Sequence, residues 1–228
     1  TDGTKFFGTT DAQPLNVKLN NIISGRFDVD AVIGQATLGY GAGANTIRST
    51  TAGTLYGTKN TGIGYQAIFN TNYGKENTTL GYQTMLSNRS GSSSTAIGYQ
   101  AMMNTFDGLN SSTSFETFNT AIGYQALMGS TTPTNNTGTY NTATGYAALK
   151  NITTGAYNNA NGYNALTLNT TGNSNTALGA LTLNNNTTGS QNTAIGRSIL
   201  SNNTTGAYNT AIGYSTLSSN STGNYNTA

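Results

Sequence analysis

The chain has 228 residues, nine Lys and Arg against seven Asp and Glu, a net charge of +2, and no histidine, cysteine or tryptophan. So sparse a charge gives no footprint for nucleic acid or an anionic membrane, and no apolar run approaches the ~18 residues that would insert into a bilayer. The missing His and Cys remove the commonest general base, thiolate nucleophiles, disulfides and imidazole or thiolate metal ligands together, so no metal or cofactor is expected.

Residues 1–30 do not share the periodicity of the rest of the chain. Leu15, Val17 and Leu19 alternate, Asn20-Asn21 offers a turn, and Ile22-Ile23 resumes the apolar run. The pattern predicts a small β-hairpin, a cap or connector that covers the open edge of the next element.

From residue 31 to 228 the chain is a tandem repeat. NTAIGYQAL at 119–127 returns as NTALGALTL at 175–183 and NTAIGYSTL at 209–217. One glycine marks the beat: Gly39, Gly64, Gly81, Gly98, Gly123, Gly145, Gly162, Gly179, Gly196 and Gly213, most of them 17 residues apart. The unit reads NTAIGYQALxxNTTGxY and is counted here from one to seventeen. The fifth position is always Gly and the third is small. The ninth is always large and apolar: Ile68, Met85, Met102, Leu127, Leu149, Leu166, Leu183, Leu200 and Leu217.

N-T-T-G is turn chemistry, because Asn and Thr side chains bond nearby backbone and Gly takes positive φ cheaply. The stretch between turns is too short for a typical helix and reads as extended. One strand parity then carries Ala121, Gly123 and Leu127, and the other Ile122, Tyr124 and Ala126. An unvarying Gly inside a strand marks a bend or a place where another backbone comes close.

The expected fold is all-β: a parallel β-solenoid or β-roll of about ten 17-residue coils. Coils stacked at about 4.8 Å give a rod of about 50 Å, with Leu166 on Leu149 and Asn175 on Asn158. Asn226-Thr227-Ala228 begins a further unit, so the repeat is expected to continue past residue 228. A coil offers only about four apolar side chains against the entropy of ordering seventeen residues. The second apolar parity is therefore expected to pack against another copy of the chain.

Insertions fall near 43–56, 104–118 and 129–137, and loops on a rigid scaffold are where binding residues gather. The second holds Phe106, Phe115 and Phe118 beside Asp107 and Glu116. Aromatics beside carboxylates suit a sugar, although the same rings could tuck against the rod or a neighbouring chain. Asp107 and Glu116 are the only close acid pair in the repeat region, and a glycosidase needs two carboxylates facing one bond. The few acids and the absent His weigh against catalysis, so the chain is not read as an enzyme. Tyr65, Tyr82, Tyr99, Tyr124, Tyr146 and Tyr163 form a column that serves either as a carbohydrate stripe or as packing between chains. Its regular recurrence favours packing.

The tandem NTAIGYQAL…NTTGxYNTA pattern resembles the repeat region of phage tail-fibre-like proteins. In that family an intramolecular chaperone domain of endosialidase type often follows the repeats. Residues 8–28, GTTDAQPLNVKLNNIISGRFD, resemble the segment that precedes such repeats in Bacteroidota members. The repeat is also similar to the A-x-A-I-G units of trimeric autotransporter adhesin heads, which form left-handed parallel β-rolls from shorter repeats. The resemblance implies a homotrimeric, extracellular fibre on a virion, a tail-like particle or a bacterial surface. Such a fibre would bind a cell-surface glycan or protein receptor through its inserted loops. Two other readings are an ice-binding solenoid, from recurring threonines such as Thr142, Thr153 and Thr154, and a glycan-degrading tailspike.

Overall fold

The computed structural model describes residues 15–27, 34–45, 57–105, 113–131 and 136–228. Strands β1 (Leu15–Leu19) and β2 (Ile22–Phe27) form an antiparallel hairpin. Its turn residues Asn20 and Asn21 have φ of 48° and 62°, the left-handed pair that a two-residue hairpin turn requires. The free edge of β2 runs antiparallel to β3 (Ala36–Leu38), pairing Gly25 with Leu38 and Phe27 with Ala36. The hairpin thus covers the edge of the first coil.

From β3 onward each coil adds one short strand, parallel and in register with the last. These are β4 (Thr61–Ile63), β5 (Thr78–Leu80), β7 (Thr95–Ile97), β9 (Thr120–Ile122) and β10 (Thr142–Thr144). The series continues through β11 (Asn159–Asn161), β12 (Thr176–Leu178), β13 (Thr193–Arg197) and β14 (Thr210–Tyr214). Together with the hairpin they make one 12-stranded sheet. Insertions leave the register intact: Ala96 pairs with Ala121, and Ala121 with Ala143, as directly as Ala160 pairs with Ala177. The molecule is a parallel β-solenoid.

Outside these strands the backbone still bonds coil to coil. Gly162 N–H donates to Thr144 O at 2.8 Å and Asn164 N–H to Tyr146 O at 2.9 Å, both toward the preceding coil. Leu166 N–H donates to Thr182 O at 3.0 Å and Leu168 N–H to Asn184 O at 3.1 Å, both toward the following one. Amides pointing in both axial directions tie every inner coil to two neighbours.

The strand parity expected beyond Gly123 does not hold. Ile122 and Tyr124 face outward, but Ala126 is fully buried beside Leu127. The cause is the backbone: Gln125 and Leu127 have φ of 52° and 49°, so the chain coils through alternating hands instead of staying extended. The same happens at Asn164 and Leu166, and again at Ala147 and Leu149. Positions eight and nine both turn inward as a result. The apolar core is therefore built on three columns, the small third position, the eighth, small except at Ile199, and the large ninth, with Ile152 of the twelfth joining them. Leu149, Leu166, Leu183 and Leu200 are wholly enclosed, whereas Leu217 in the last coil is only partly covered.

Two amide columns flank this core. At the first position Asn158, Asn175, Asn192 and Asn209 each donate Nδ2–H to the Oδ1 of the asparagine one coil back, at 3.0–3.1 Å. At the twelfth, Asn186 donates to Asn169 at 2.9 Å and Asn203 to Asn186 at 2.8 Å. Each also donates to a glycine carbonyl in its own turn or the next, such as Asn175 to Gly189 O at 2.8 Å. Buried amides cost free energy unless paired, and here the repeat supplies each one with its partner.

Candidate functional site

The second insertion rejoins the rod through β8 (Phe115–Glu116), which pairs in parallel with β6 (Gly91–Ser92) of the coil below. Phe115 N–H donates to Ser90 O at 2.9 Å and Thr117 N–H to Ser92 O at 3.1 Å. The sequence-derived limits 104–118 thus include residues that belong to the coil at both ends. Asn104 and Thr105 are buried in it, and Phe115–Phe118 complete the next turn. Phe106 and Asp107 lie outside the described residues.

Of the candidate binding residues, the structure places Phe115, Glu116 and Phe118 on one rung. Phe115 and Phe118 are 46% and 48% exposed. Phe118 is a rung of a column: its ring stacks on Tyr140 at 5.2 Å, and Tyr140 stacks on Tyr157 at 4.8 Å. Glu116 Oε1 sits 3.4 Å from Lys75 Nζ, and Oε2 accepts a hydrogen bond from Ser93 Oγ. Both charged groups are substantially solvated, so the pair orients the carboxylate more than it stabilises the fold. A carboxylate engaged by a cation and a hydroxyl is a ready acceptor for a ligand hydroxyl at its free lone pairs. Among the described residues no group of three or more acidic, His or Cys side chains could hold a metal ion.

The tyrosine column at the sixth position runs from Tyr40 through Tyr163. Tyr82 and Tyr99 stack at 5.0 Å with planes 4° apart. Stacking of this kind covers both faces of each inner ring and leaves edges and hydroxyls at the surface. A sugar binds an aromatic residue through the ring face, so the column is poorly suited to be a carbohydrate platform. A parallel column of glutamines at the seventh position, Gln66, Gln83, Gln100 and Gln125, is joined by side-chain amide bonds of 2.9–3.1 Å.

Two features lie outside the site residues named from the sequence, although Ile122 shares with Tyr124 the parity expected to meet another copy. The fourth position is a second exposed apolar column, with Leu38, Ile63, Leu80 and Ile122 at 40–49% exposure beside the tyrosines. Its near-constant Ile or Leu was the available signal, hidden by the tolerance for Thr144 and Asn161. The other feature is an open polar notch of about 300 Å³ lined by Asn70, Asn72, Ser87 and Arg89. Its signal was the departure of Asn72 and Arg89 from the threonine found at the thirteenth position in later coils.

Those later threonines are occupied within the rod. Thr170 Oγ1 donates to Thr187 O and Thr187 Oγ1 to Thr204 O, each at 3.0 Å. Their hydroxyls brace the coils.

The columns and the single long parallel sheet define the chain as a tandem-repeat β-solenoid. No helix among the described residues is long and apolar enough to cross a membrane. No family model, curated protein or solved structure matches the chain.

Proposed function

We propose that this chain is the shaft of an extracellular fibre, on a phage tail, a tail-like particle or a bacterial surface. It would assemble as a homotrimer and carry receptor contacts on its insertions. The observation that carries the reading is the exposed face formed by the fourth and sixth positions. From Leu38 to Tyr124 it presents Leu or Ile beside Tyr on successive rungs, nine of these side chains at 40–49% exposure. Nine such residues hold roughly 700–900 Å² of accessible area, close to the ~800 Å² that each partner gives to a stable interface. A continuous apolar face of that size is uncommon on a monomer. An in-register rod supplies length and stiffness, and the Phe115–Phe118 rung, with the insertion that leads into it, is the place for a glycan or protein receptor. Three chains in particular come from the resemblance to tail fibres and adhesin heads.

Sedimentation equilibrium of the chain tests this. The expected mass is three times 23.6 kDa, falling to a single chain in Ile122→Asp, which places a charge on the face without touching the core. A wild-type chain that stays monomeric at micromolar concentration overturns the assembly. Receptor contact is tested separately on a glycan array with the wild type and with Phe115→Ala.

A further inference from the structure

With 14 tyrosines and neither cysteine nor tryptophan, the phenol is this chain's readiest source of a one-electron radical. The coils arrange these phenols in columns. Tyr65, Tyr82, Tyr99, Tyr124 and Tyr146 succeed one another with ring centroids 5.0 Å apart and planes 4–6° from parallel. Tyr140 on Tyr157 and Tyr208 on Tyr225 repeat the arrangement at 4.8 Å. Adjacent rings are related by little more than a shift along the rod. Each ortho carbon is therefore offset from its counterpart by about the same 5.0 Å. The rings are partly exposed, and a turn about their side-chain bonds is the movement needed to close that gap.

We propose that the tyrosine columns are oxidative cross-linking sites, at which adjacent rungs of one chain couple into dityrosine under a haem peroxidase and hydrogen peroxide. Each of two neighbouring phenols gives up one electron and its hydroxyl proton. The two ortho carbons then form a carbon–carbon bond. The ortho hydrogens move to the oxygens as the rings regain aromaticity. The pair has lost two electrons and two protons, and these reduce one hydrogen peroxide to two waters. The product joins successive coils covalently along the rod axis, in a chain that has no cysteine for a disulfide. The proposal concerns bonds within a chain, and because the fibre reading packs this same column against other copies, it is tested on the unassembled chain, for which Ile122→Asp is the control.

The chain contains its own control. Tyr214 is 71% exposed, more than any tyrosine from Tyr40 to Tyr163 in the same column, but the rung below it is Arg197, whose guanidinium lies 6.0 Å from the ring. If exposure governs the chemistry, Tyr214 and Tyr225, at 71% and 75%, react first and link chains to one another. If column geometry governs, links appear between rungs and Tyr214 stays unlinked within its chain.

The experiment treats the dilute full chain with peroxidase and hydrogen peroxide, then reads dityrosine fluorescence, denaturing-gel mobility and linked peptides by mass spectrometry. The expected result is dityrosine in bands of single-chain mobility, each link lowering the mass by two hydrogens and mapping to pairs such as Tyr82–Tyr99 and Tyr124–Tyr146. In Tyr99→Phe, which keeps the ring and its stacking, links at Tyr82–Tyr99 and Tyr99–Tyr124 vanish while Tyr124–Tyr146 persists at its wild-type yield. Dityrosine found only between chains, links centred on Tyr214, or no dityrosine at all overturns the proposal.

Discussion

A Cβ placed on Gly123 would lie 2.4 Å from the carbonyl oxygen of Gly145 and 2.8 Å from its carbonyl carbon. The φ of Gly123 is +136°, a conformation that L side chains rarely adopt. The fifth position is Gly in every coil because two backbones meet there at a distance that leaves no room for a methyl group. Gly123→Ala combines about 1–3 kcal/mol of backbone strain with about 1–3 of overpacking, and the obstacle is backbone that cannot step aside. Gly213→Ala separates the two terms, since its φ is +125° but its Cβ would meet only Thr216 Oγ1, at 3.2 Å. Thermal unfolding monitored by circular dichroism should show a much larger loss for Gly123→Ala than for Gly213→Ala. Equal losses would mean that the stacked carbonyl contributes nothing.

The ninth column should behave as a core and the eleventh position should not, although both hold leucine in one coil. Leu166 is 0% exposed and Leu168 is 42% exposed. Leu166→Ala is expected to cost about 2–5 kcal/mol, and Leu168→Ala less than about 1. Denaturant melts of the two variants check this, and similar midpoints would contradict the assignment of the core.

Much of this architecture was legible because a repeat ranks its own positions. The large apolar residue at nine and the constant Gly at five led directly to columns, and the adjacency of Asn158 and Asn175 came from the 17-residue beat alone. The left-handed backbone at Gln125 and Leu127 was not legible. Propensity assigns positive φ to Gly and Asn, and nothing local marks a leucine for it. The geometry is imposed by the neighbouring coils, which bind the Gln125 and Leu127 amides to Tyr99 O and Ala148 O at 2.8 and 2.9 Å. A small residue at position eight, Ala126 or Ala148, was the clue that this position faces inward. At the candidate site the sequence could group the phenylalanines and acids but not foresee that Phe118 continues a ring column, since Tyr140 and Tyr157 recur outside the conspicuous NTAIGY segment.

Left-handed strain also marks where stability can be gained. Gln191 is exposed, its φ is 58°, and its backbone N–H donates to Asn173 O at 2.9 Å. A side chain in that conformation costs about 1–2 kcal/mol, while glycine loses about 0.5–1 more chain entropy on folding. Gln191→Gly keeps the amide bond and should raise stability by up to about 1 kcal/mol. A melting temperature below that of the wild type would show that the Gln191 side chain holds something its exposure does not reveal.

The asparagine column should govern how stability responds to pH. Among the described residues the buried polar side chains are Asn, Gln, Ser and Thr, none of which titrates between about pH 4 and 9, so the wild-type midpoint should be nearly flat over that range. Asn175 donates Nδ2–H to Asn158 Oδ1 at 3.1 Å and to Gly189 O at 2.8 Å, and its Oδ1 accepts from the backbone and side chain of Asn192 at 3.0 and 3.1 Å. Asn175→Ala strands all of these partners and should cost about 2–4 kcal/mol at any pH. Asn175→Asp keeps the acceptor and loses the donor unless the new carboxyl is protonated. Burial and the facing oxygens of Asn158 and Gly189 then favour the neutral acid, raising its folded pKa above the ~3.9 of the unfolded chain. The folded state binds the extra proton, so stability is greatest below about pH 4 and declines as pH rises through the raised folded value. Melts of Asn175→Asp at pH 4 and pH 7 should differ in that direction, with the wild type unchanged. A variant as stable at pH 7 as at pH 4 would mean that the first-position amides are not the donors holding the coils in register.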